Sequence, residues 1–296
     1  MTIKEWIDNS ASQIASAGIS SSRLDAELIL AHALGVNRSW VIAHSFDTID
    51  DAHTLRSADK LLASRLARVP VAYLTKRKEF YGRSFIVDEN VLIPRPESET
   101  IIDLLKQHLT DTRGYPSGFK SYIKDNPLYI LDVGCGSGCL GITAKLEVPD
   151  AEVTLCDISA DALAIARRNT TQLGADVDII ESDLLATFIP GATSPIPLLP
   201  SPFHLILANL PYVNPAWQRS PETDHEPALA LFADDDGLSL IKKCIRQSRT
   251  ILSDDGYLLL EADPCQHEAI VTYGEQNGFQ MVEARDYAVV LQRVTS

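Results

Sequence analysis

Four short stretches hold residue types from which chemistry could be built: DVGCGSG at 132–138, the Asp157 that ends EVTLCD, SDL at 182–184, and NLPY at 209–212. The apolar run YILDV passes directly into GCGSG, which puts Gly134, Gly136 and Gly138 between a strand and a helix. Glycines there let a ligand approach the backbone, and ligands of open α/β sheets bind at this end of the strands. A dinucleotide-binding GxGxxG would put a small residue at position 139, where the chain has Cys139; the pattern is DxGxGxG, led by Asp132.

Asp157 ends the next strand, where a carboxylate can accept both hydroxyls of a ribose, and Asp183 ends the strand after it. Three acids at three successive strand ends repel a pyrophosphate and suit adenine, ribose and a cationic tail. S-adenosylmethionine carries that cation and no phosphate. Singly, a glycine turn or an Asp at a strand end needs no ligand to explain it. Together and in this order, they read as a nucleoside-binding site.

NLPY leaves the fourth strand, FHLILAN, beside that site. The side-chain oxygen of Asn209 and the backbone carbonyl of Leu210 can accept the two hydrogens of a planar NH2 group and aim its nitrogen at the methyl of a sulfonium. Tyr212 could pack on the planar group, and Pro211 restricts Leu210 to extended angles that keep its carbonyl aimed. An amide nitrogen is a poor nucleophile, so catalysis there is mostly positioning and desolvation. Transfer also releases a proton, and no residue stands out as its acceptor.

The elements that must hold these residues follow from periodicity. From Ile3 to about Leu66 apolar positions recur at three and four residues, which predicts a small helical bundle. KEFYGRSFIVD then predicts a β-hairpin, and a helical pattern runs from near Glu97 to near Leu109. From Leu128 strands and helices alternate, the mark of a parallel sheet covered on both faces. FQMVEAR and AVVLQRV are joined by a short turn and cannot both be parallel, so an antiparallel edge is expected. TDTRGYPSG reads as a loop, and five of the sixteen prolines fall between Pro190 and Pro202, an extended surface loop.

Composition excludes several classes. The 296 residues are 45% apolar and 22% charged, an ordinary globular balance, and the net charge of -14 repels nucleic-acid backbones and anionic membranes. One basic patch stands out, Arg65, Arg68, Lys76, Arg77, Lys78 and Arg83 against the single acid Glu79, and it reads as a solvated face or a dock for an acidic or ribosome-associated partner. Five cysteines without a CxxC pair suggest neither a disulfide framework nor a zinc ribbon, and seven scattered histidines suggest no metal. The N-terminal residues lack the apolar run of a signal peptide, and no run approaches the roughly 18 apolar residues of a membrane span. The expectation is a cytoplasmic monomer.

With RLDAELILAHALGV, KEFYG, VLIPRPESE, LDVGCGSG, CDIS, ESD, NLPYV, HEPALALFADDDGLSLI and GYLLLEA, nearly the whole chain resembles the class I methyltransferases with the (N/D)PPY signature, and among them the glutamine methyltransferases of peptide chain release factors. The resemblance implies methyl transfer from S-adenosylmethionine to the amide nitrogen of the glutamine in a release factor's Gly-Gly-Gln tripeptide. It implies a Rossmann-like seven-stranded domain over 97–296, a helical substrate-binding domain over 1–74, and a hairpin linker over 75–96. It also implies that Gly134, Cys135, Gly136, Ser137 and Gly138 line the methionine part of the cofactor, that Asp157 holds the ribose, that Asp183 and Leu184 border the adenine, and that Asn209, Leu210, Pro211 and Tyr212 bind the glutamine. Two departures stand out: Leu210 occupies the place of a proline, and Leu184 that of a frequent aromatic. Glu97, Glu99 and Glu226 lie in segments that resemble family motifs, with roles that spacing does not assign. Methylation of a ribosomal-protein glutamine, of the exocyclic amine of adenine in RNA or DNA, and cofactor binding without transfer remain alternatives.

Overall fold

The three- and four-residue apolar spacing does become helix in the computed structural model, which describes residues 1–110, 127–191 and 202–294. The chain divides into two units, residues 1–77 with 219–225, and residues 78–218 with 226–296.

The first unit contains α1 (Ile3–Ser16), α2 (Ser22–Leu34), α3 (Arg38–Ala43), α4 (Ala52–Leu66) and α5 (Val71–Thr75). Side-chain caps start three of them: Thr2 and Glu5 close a capping box on α1, Asn37 accepts from Trp40 N–H, and Asp51 accepts from His53 and Thr54 N–H. The apolar stripes meet in a core that includes Trp6, Ile14, Ile29, Leu30, Val41 and Leu62.

The structure corrects the reading of the basic patch within this unit. Arg65 is 5% exposed, and its Nε bonds Asp25, also 5% exposed, at 2.7 Å. Arg65 and Arg68 both pair with Glu222, at 3.1 and 3.2 Å, which the Pro221–His225 turn contributes to this unit. These arginines are internal structure because a guanidinium's fixed fork of donors can hold several acceptors at once. Replacing Arg65 by alanine leaves Asp25 buried without this partner; the expected result is a loss of about 3–5 kcal/mol in stability, read by urea unfolding.

After α5 comes a hairpin, β1 (Arg77–Phe80) and β2 (Arg83–Ile86), which from Lys78 on belongs to the second unit and whose turn residues Tyr81 and Gly82 both have positive φ, as a tight two-residue turn requires. This segment is not a free linker. Phe80 and Phe85 are buried in the main core, and Arg83, the third member of the basic patch found in an ion pair, bonds Glu147 at 2.6 Å. A 3-10 turn over Pro96–Ser98 leads into α6 (Glu99–Thr110).

Seven strands follow, β3 (Tyr129–Val133), β4 (Glu152–Asp157), β5 (Asp178–Glu181), β6 (Phe203–Ala208), β7 (Leu252–Glu261), β8 (Phe279–Arg285) and β9 (Ala288–Arg293), in the order β5-β4-β3-β6-β7-β9-β8. Among the described residues, the further helices are α7 (Cys139–Glu147), α8 (Ala160–Leu173), α9 (Ala228–Leu231), α10 (Ser239–Ile251) and α11 (His267–Gln276). Successive residues of one strand feed opposite cores: Leu205 and Leu207 pack on one side of the sheet, Ile206 and Ala208 on the other. This explains the near-continuous apolar runs, since a strand covered on both faces has no polar side. The fold class is the expected Rossmann-like one.

The antiparallel edge is present as expected, formed by β8 and β9 pairing antiparallel at one side of the sheet. β9 inserts between β7 and β8. AVVLQR is buried at five of its six positions, whereas in β8 only Phe279 is buried and the other positions are exposed or half-buried, so β9 gains by taking the inner position and β8 tolerates the rim. Most of the two expected loops, at 110–118 and 190–202, lies outside the described residues. No described helix is long and apolar enough to cross a membrane.

Candidate active site

The strand order reverses at β3, which has β4 on one side and β6 on the other, and a ligand crevice forms where the connections diverge. A pocket lies there, at the carboxyl ends of β3, β4 and β6, walled by Asp132, Gly134, Cys135, Gly136 and Ser137 from the first turn, Asp157 from the second, Asp183 and Leu184 from the third, and Asn209, Leu210 and Pro211 from the fourth.

The glycine loop is shaped from beneath. Gly134, Gly136 and Gly138 have φ of +67°, +53° and +80°, angles that disfavour a side chain. Asp132 Oδ2 accepts the Gly141 N–H at 2.8 Å, tying β3 to the first turn of α7. Burial, with Asp157 nearby, pushes the Asp132 carboxyl up to about 7. Asp157 accepts Gly136 N–H on Oδ2 and Ser159 N–H on Oδ1, both at 2.9 Å, and burial still holds it above the ordinary carboxylate range. Asn169, fully buried on α8, donates to the carbonyls of Ser137 and Ile86 and accepts the Ile86 N–H, so it locks the loop to the hairpin.

Two residues stand elsewhere than expected, and a third lines the pocket with an exposed carboxylate. Gly138 is not part of the pocket wall: a Cβ there would lie 2.8 Å from Ile142 Cδ1 and 2.9 Å from Leu155 Cδ2, so this glycine lets helix α7 approach the sheet. Asp183 reaches the pocket, but its carboxylate is exposed and held by Lys243 Nζ at 2.7 Å. The Tyr212 ring is likewise outside the wall; its hydroxyl donates to Glu261 Oε1 at 3.2 Å, and burial first, then the Glu261 charge, raises the phenol above its ordinary range.

Asn209 is held by a residue that spacing could not reveal. Its Nδ2 donates to Ser98 Oγ at 3.0 Å, from the 3-10 turn before α6, and Ser98 is 1% exposed. Neither Asn209 Oδ1 nor the Leu210 carbonyl accepts a hydrogen bond from the described residues, so both acceptors are available to a ligand. Leu210 is 2% exposed, and its Cδ2 would lie 2.9 Å from a Cβ at Gly134; the leucine fills space that the glycine leaves. Gln266 Nε2 bridges the carbonyls of Tyr212 and Asp236, at 2.9 and 2.7 Å, and clamps the end of NLPY. The one sequence signal for these supports was Glu261, an acid closing the otherwise apolar YLLLEA.

Of the three glutamates without assigned roles, Glu226 accepts the Ile93 N–H and pairs with Arg95, Glu99 accepts the Tyr81 N–H, and Glu97 is exposed. Glu226 and Glu99 hold segments around the pocket, and none of the three lines it.

The residues present fit S-adenosylmethionine. Three carboxylates and no lysine, arginine or histidine are found in the described wall; Asp132 is buried and Asp157 half-buried, and both are raised, a setting that a cation relieves and a phosphate aggravates. Exposed Ile158 and buried Leu184 add apolar surface for a flat base, with contact in place of aromatic stacking. Among the described residues no three His, Cys, Asp or Glu side chains group as metal ligands do.

Comparison with known proteins agrees with this geometry. Residues 5–75 match the PrmC N-terminal domain family and residues 121–212 the methyltransferase small domain family. The chain is 34% identical to a release factor glutamine methyltransferase of Deinococcus radiodurans, over 89% of this chain and 87% of the relative. It is 32% identical to one of Neisseria gonorrhoeae, over 100% and 97%. A crystal structure of a methyltransferase from Pyrococcus furiosus superposes with a TM-score of 0.51 at 15% identity, covering 79% of this chain and 100% of that one, which speaks to the fold alone.

Proposed function

Because the chain belongs to the release factor glutamine methyltransferase family, we propose that it methylates the side-chain amide nitrogen of the glutamine in the Gly-Gly-Gln tripeptide of peptide chain release factors, in the cytoplasm where translation terminates. The observation that carries this reading is the pair of unused acceptors, Asn209 Oδ1 and the Leu210 carbonyl, beside a carboxylate-walled pocket.

S-adenosylmethionine, when bound, supplies a methyl group made electrophilic by its sulfonium. Asp157 holds the ribose hydroxyls with lone pairs left by its two backbone donors, and the carbonyl and amide groups of 134–137 border the methionine end. Asn209 and Leu210 accept the two amide hydrogens of the substrate glutamine, which fixes the plane and direction of its nitrogen. Two directed acceptors are worth more than general affinity, since a reactant held in attack geometry forgoes entropy it would otherwise lose at the barrier. Leu210, Pro211 and Val91 supply an apolar wall that excludes water from the nitrogen. Leu210 keeps its carbonyl aimed through the following Pro211, so the missing proline at 210 removes some backbone stiffness and neither acceptor. The helical unit serves to hold the release factor.

The test is transfer of labelled methyl from S-adenosylmethionine to a purified, unmodified release factor, beside a version with Gln→Ala in its Gly-Gly-Gln loop and beside deproteinised ribosomal RNA. Label on the intact factor alone supports the reading. Label on RNA moves the assignment to the exocyclic amine of adenine, and equal label on the Gln→Ala factor moves it to another residue.

A further inference from the structure

Asp183 sits in the pocket wall with a carboxylate that is 53% exposed and would swing freely if nothing held it. One helix holds it. On α10, Lys243 Nζ donates to both carboxylate oxygens, at 2.9 Å to Oδ1 and 2.7 Å to Oδ2. One turn further on, Gln247 Oε1 accepts the Leu185 N–H at 3.2 Å, and one turn earlier Leu240 reaches the pocket wall itself. Residues three and four apart share a helix face, so Leu240, Lys243 and Gln247 form one stripe turned to residues 182–185. From the sheet, Ser182 N–H donates to the Asp157 carbonyl at 3.0 Å and Cys156 Sγ to the Leu184 carbonyl at 3.6 Å. Between these ties Leu184 has φ +50°, a left-handed backbone that a leucine keeps only where its surroundings over-determine it.

In the sheet order β5 lies outside β4, so of the four strand ends that build the wall, that of β5 is the farthest from Asn209 on β6. A cofactor with its methyl at Asn209 and its ribose at Asp157 therefore carries its base to the turn after β5. The adenine of a nucleoside has one N–H donor group, the exocyclic amine, and a carboxylate can only accept. Lys243 takes one lone pair from each Asp183 oxygen and leaves each another. We propose that Lys243 and Gln247 are positioning residues for recognition of the base: α10 clamps the Asp183–Leu185 turn, which fixes the plane of the Asp183 carboxylate and aims a free lone pair at the adenine amine. This rests on S-adenosylmethionine as the ligand and not on which nitrogen is methylated.

The clamp acts through aim and not through charge. An ion pair this exposed adds little to stability, so its removal is read at the ligand rather than in unfolding. Removing the lysine also leaves Asp183 a barer anion, and if charge were what counted, that anion would hold the amine more tightly. Fixed geometry works the other way, because an acceptor already held in place has less freedom to lose when the ligand binds. Lys242 provides the comparison: it carries the same charge on the same helix and pairs with Asp235 at 2.7 Å.

The experiment measures, by calorimetry on the full-length protein, Kd for S-adenosylhomocysteine and for its analogue with hydrogen in place of the adenine amine, in wild type, Lys243→Met, Gln247→Leu, Lys242→Met and Asp183→Ala. Wild type is expected to bind the analogue about tenfold more weakly, the scale of one hydrogen bond to a charged acceptor. Asp183→Ala is expected to bring this ratio to about one, and Lys243→Met and Gln247→Leu to about threefold or less, since a misaimed acceptor keeps only part of that bond. Lys242→Met is expected to keep the wild-type ratio. The proposal is overturned if wild type does not distinguish the two ligands, if Asp183→Ala, Lys243→Met or Gln247→Leu keeps or raises the ratio, or if Lys242→Met lowers it as far as Lys243→Met does. No release factor is needed, so the glutamine reading stands or falls separately in the labelled-methyl assay. Failure of wild type to bind S-adenosylhomocysteine sinks the cofactor reading and this proposal together. Should Gln247→Leu fail to fold, Lys243→Met beside Lys242→Met still decides.

Discussion

Asn209→Ala is expected to abolish methyl transfer, with kcat down about a thousandfold or more, the scale of removing one directed polar group from a transition state. The substrate NH2 keeps the Leu210 carbonyl and loses its second acceptor, so its nitrogen is free to rotate out of line. Truncation leaves Ser98 Oγ without its Asn209 partner but does not touch the groups that hold the cofactor: Gly136 and Ser159 still bond Asp157, and Asn169 still bonds the Ser137 carbonyl. The affinity for S-adenosylmethionine, measured by calorimetry, should stay within about threefold, below the value of one neutral hydrogen bond. Asp157→Ala is expected to do the reverse, weakening the cofactor tenfold or more, as loss of a charged hydrogen-bond acceptor does, with kcat at saturating cofactor much less affected. A variant pair in which both changes weaken the cofactor equally would mean that the two residues do not have separate tasks.

Gly237→Ala is the second large effect, and it acts at a distance in sequence from NLPY. Gly237 has φ +84°, and a Cβ there would lie 1.9 Å from the Tyr212 carbonyl oxygen and 2.6 Å from Gln266 Nε2. The atoms in the way are backbone and the amide that bridges Tyr212 to Asp236, so nothing flexible can yield. The left-handed backbone costs about 1–2 kcal/mol and the overlap about 1–3 more, which should lower Tm by several degrees. Because the displaced group is the end of NLPY, kcat should fall with it, about a hundredfold for a misplacement of an ångström. Gly174→Ala is the control: its φ is +68° and nothing lies within 4 Å of the added methyl, so it takes the backbone cost alone and keeps kcat. Equal kcat in the two variants would show that Gly237 is merely a turn.

The motifs were legible because each lies at the carboxyl end of its own strand. YILDV followed by GCGSG is a strand and a turn whatever the rest of the chain does, and so is FHLILAN followed by LPY. The helical region was legible through its apolar spacing, although the short α3 and α5 escaped it, being too brief for a period to show. The basic patch misled because charge adjacency along a chain says nothing about partners: Asp25 and Glu222 are 40 and 157 residues from Arg65. Gly138 misled for a related reason. The motif names three glycines alike, while the shape of the loop turns two toward the pocket and one toward Ile142 and Leu155.

What the amino-acid sequence alone determined, then, is the succession of strands and helices, the strand ends that bear Asp132, Asp157 and Asn209, and through these the kind of cofactor and the planar NH2 group the site can take. Those features depend on neighbours two to four residues apart, the range over which a strand alternates or a helix turns. The tertiary structure alone decided that Ser98 stands behind Asn209, 111 residues away, that Glu261 meets Tyr212, that Gln266 and Gly237 close on the Tyr212 carbonyl, and that β9 enters the sheet beside β7. These partners are brought together only when β7 takes its place beside β6 and the segment before α6 packs at the strand ends, and no local period encodes the order in which strands assemble.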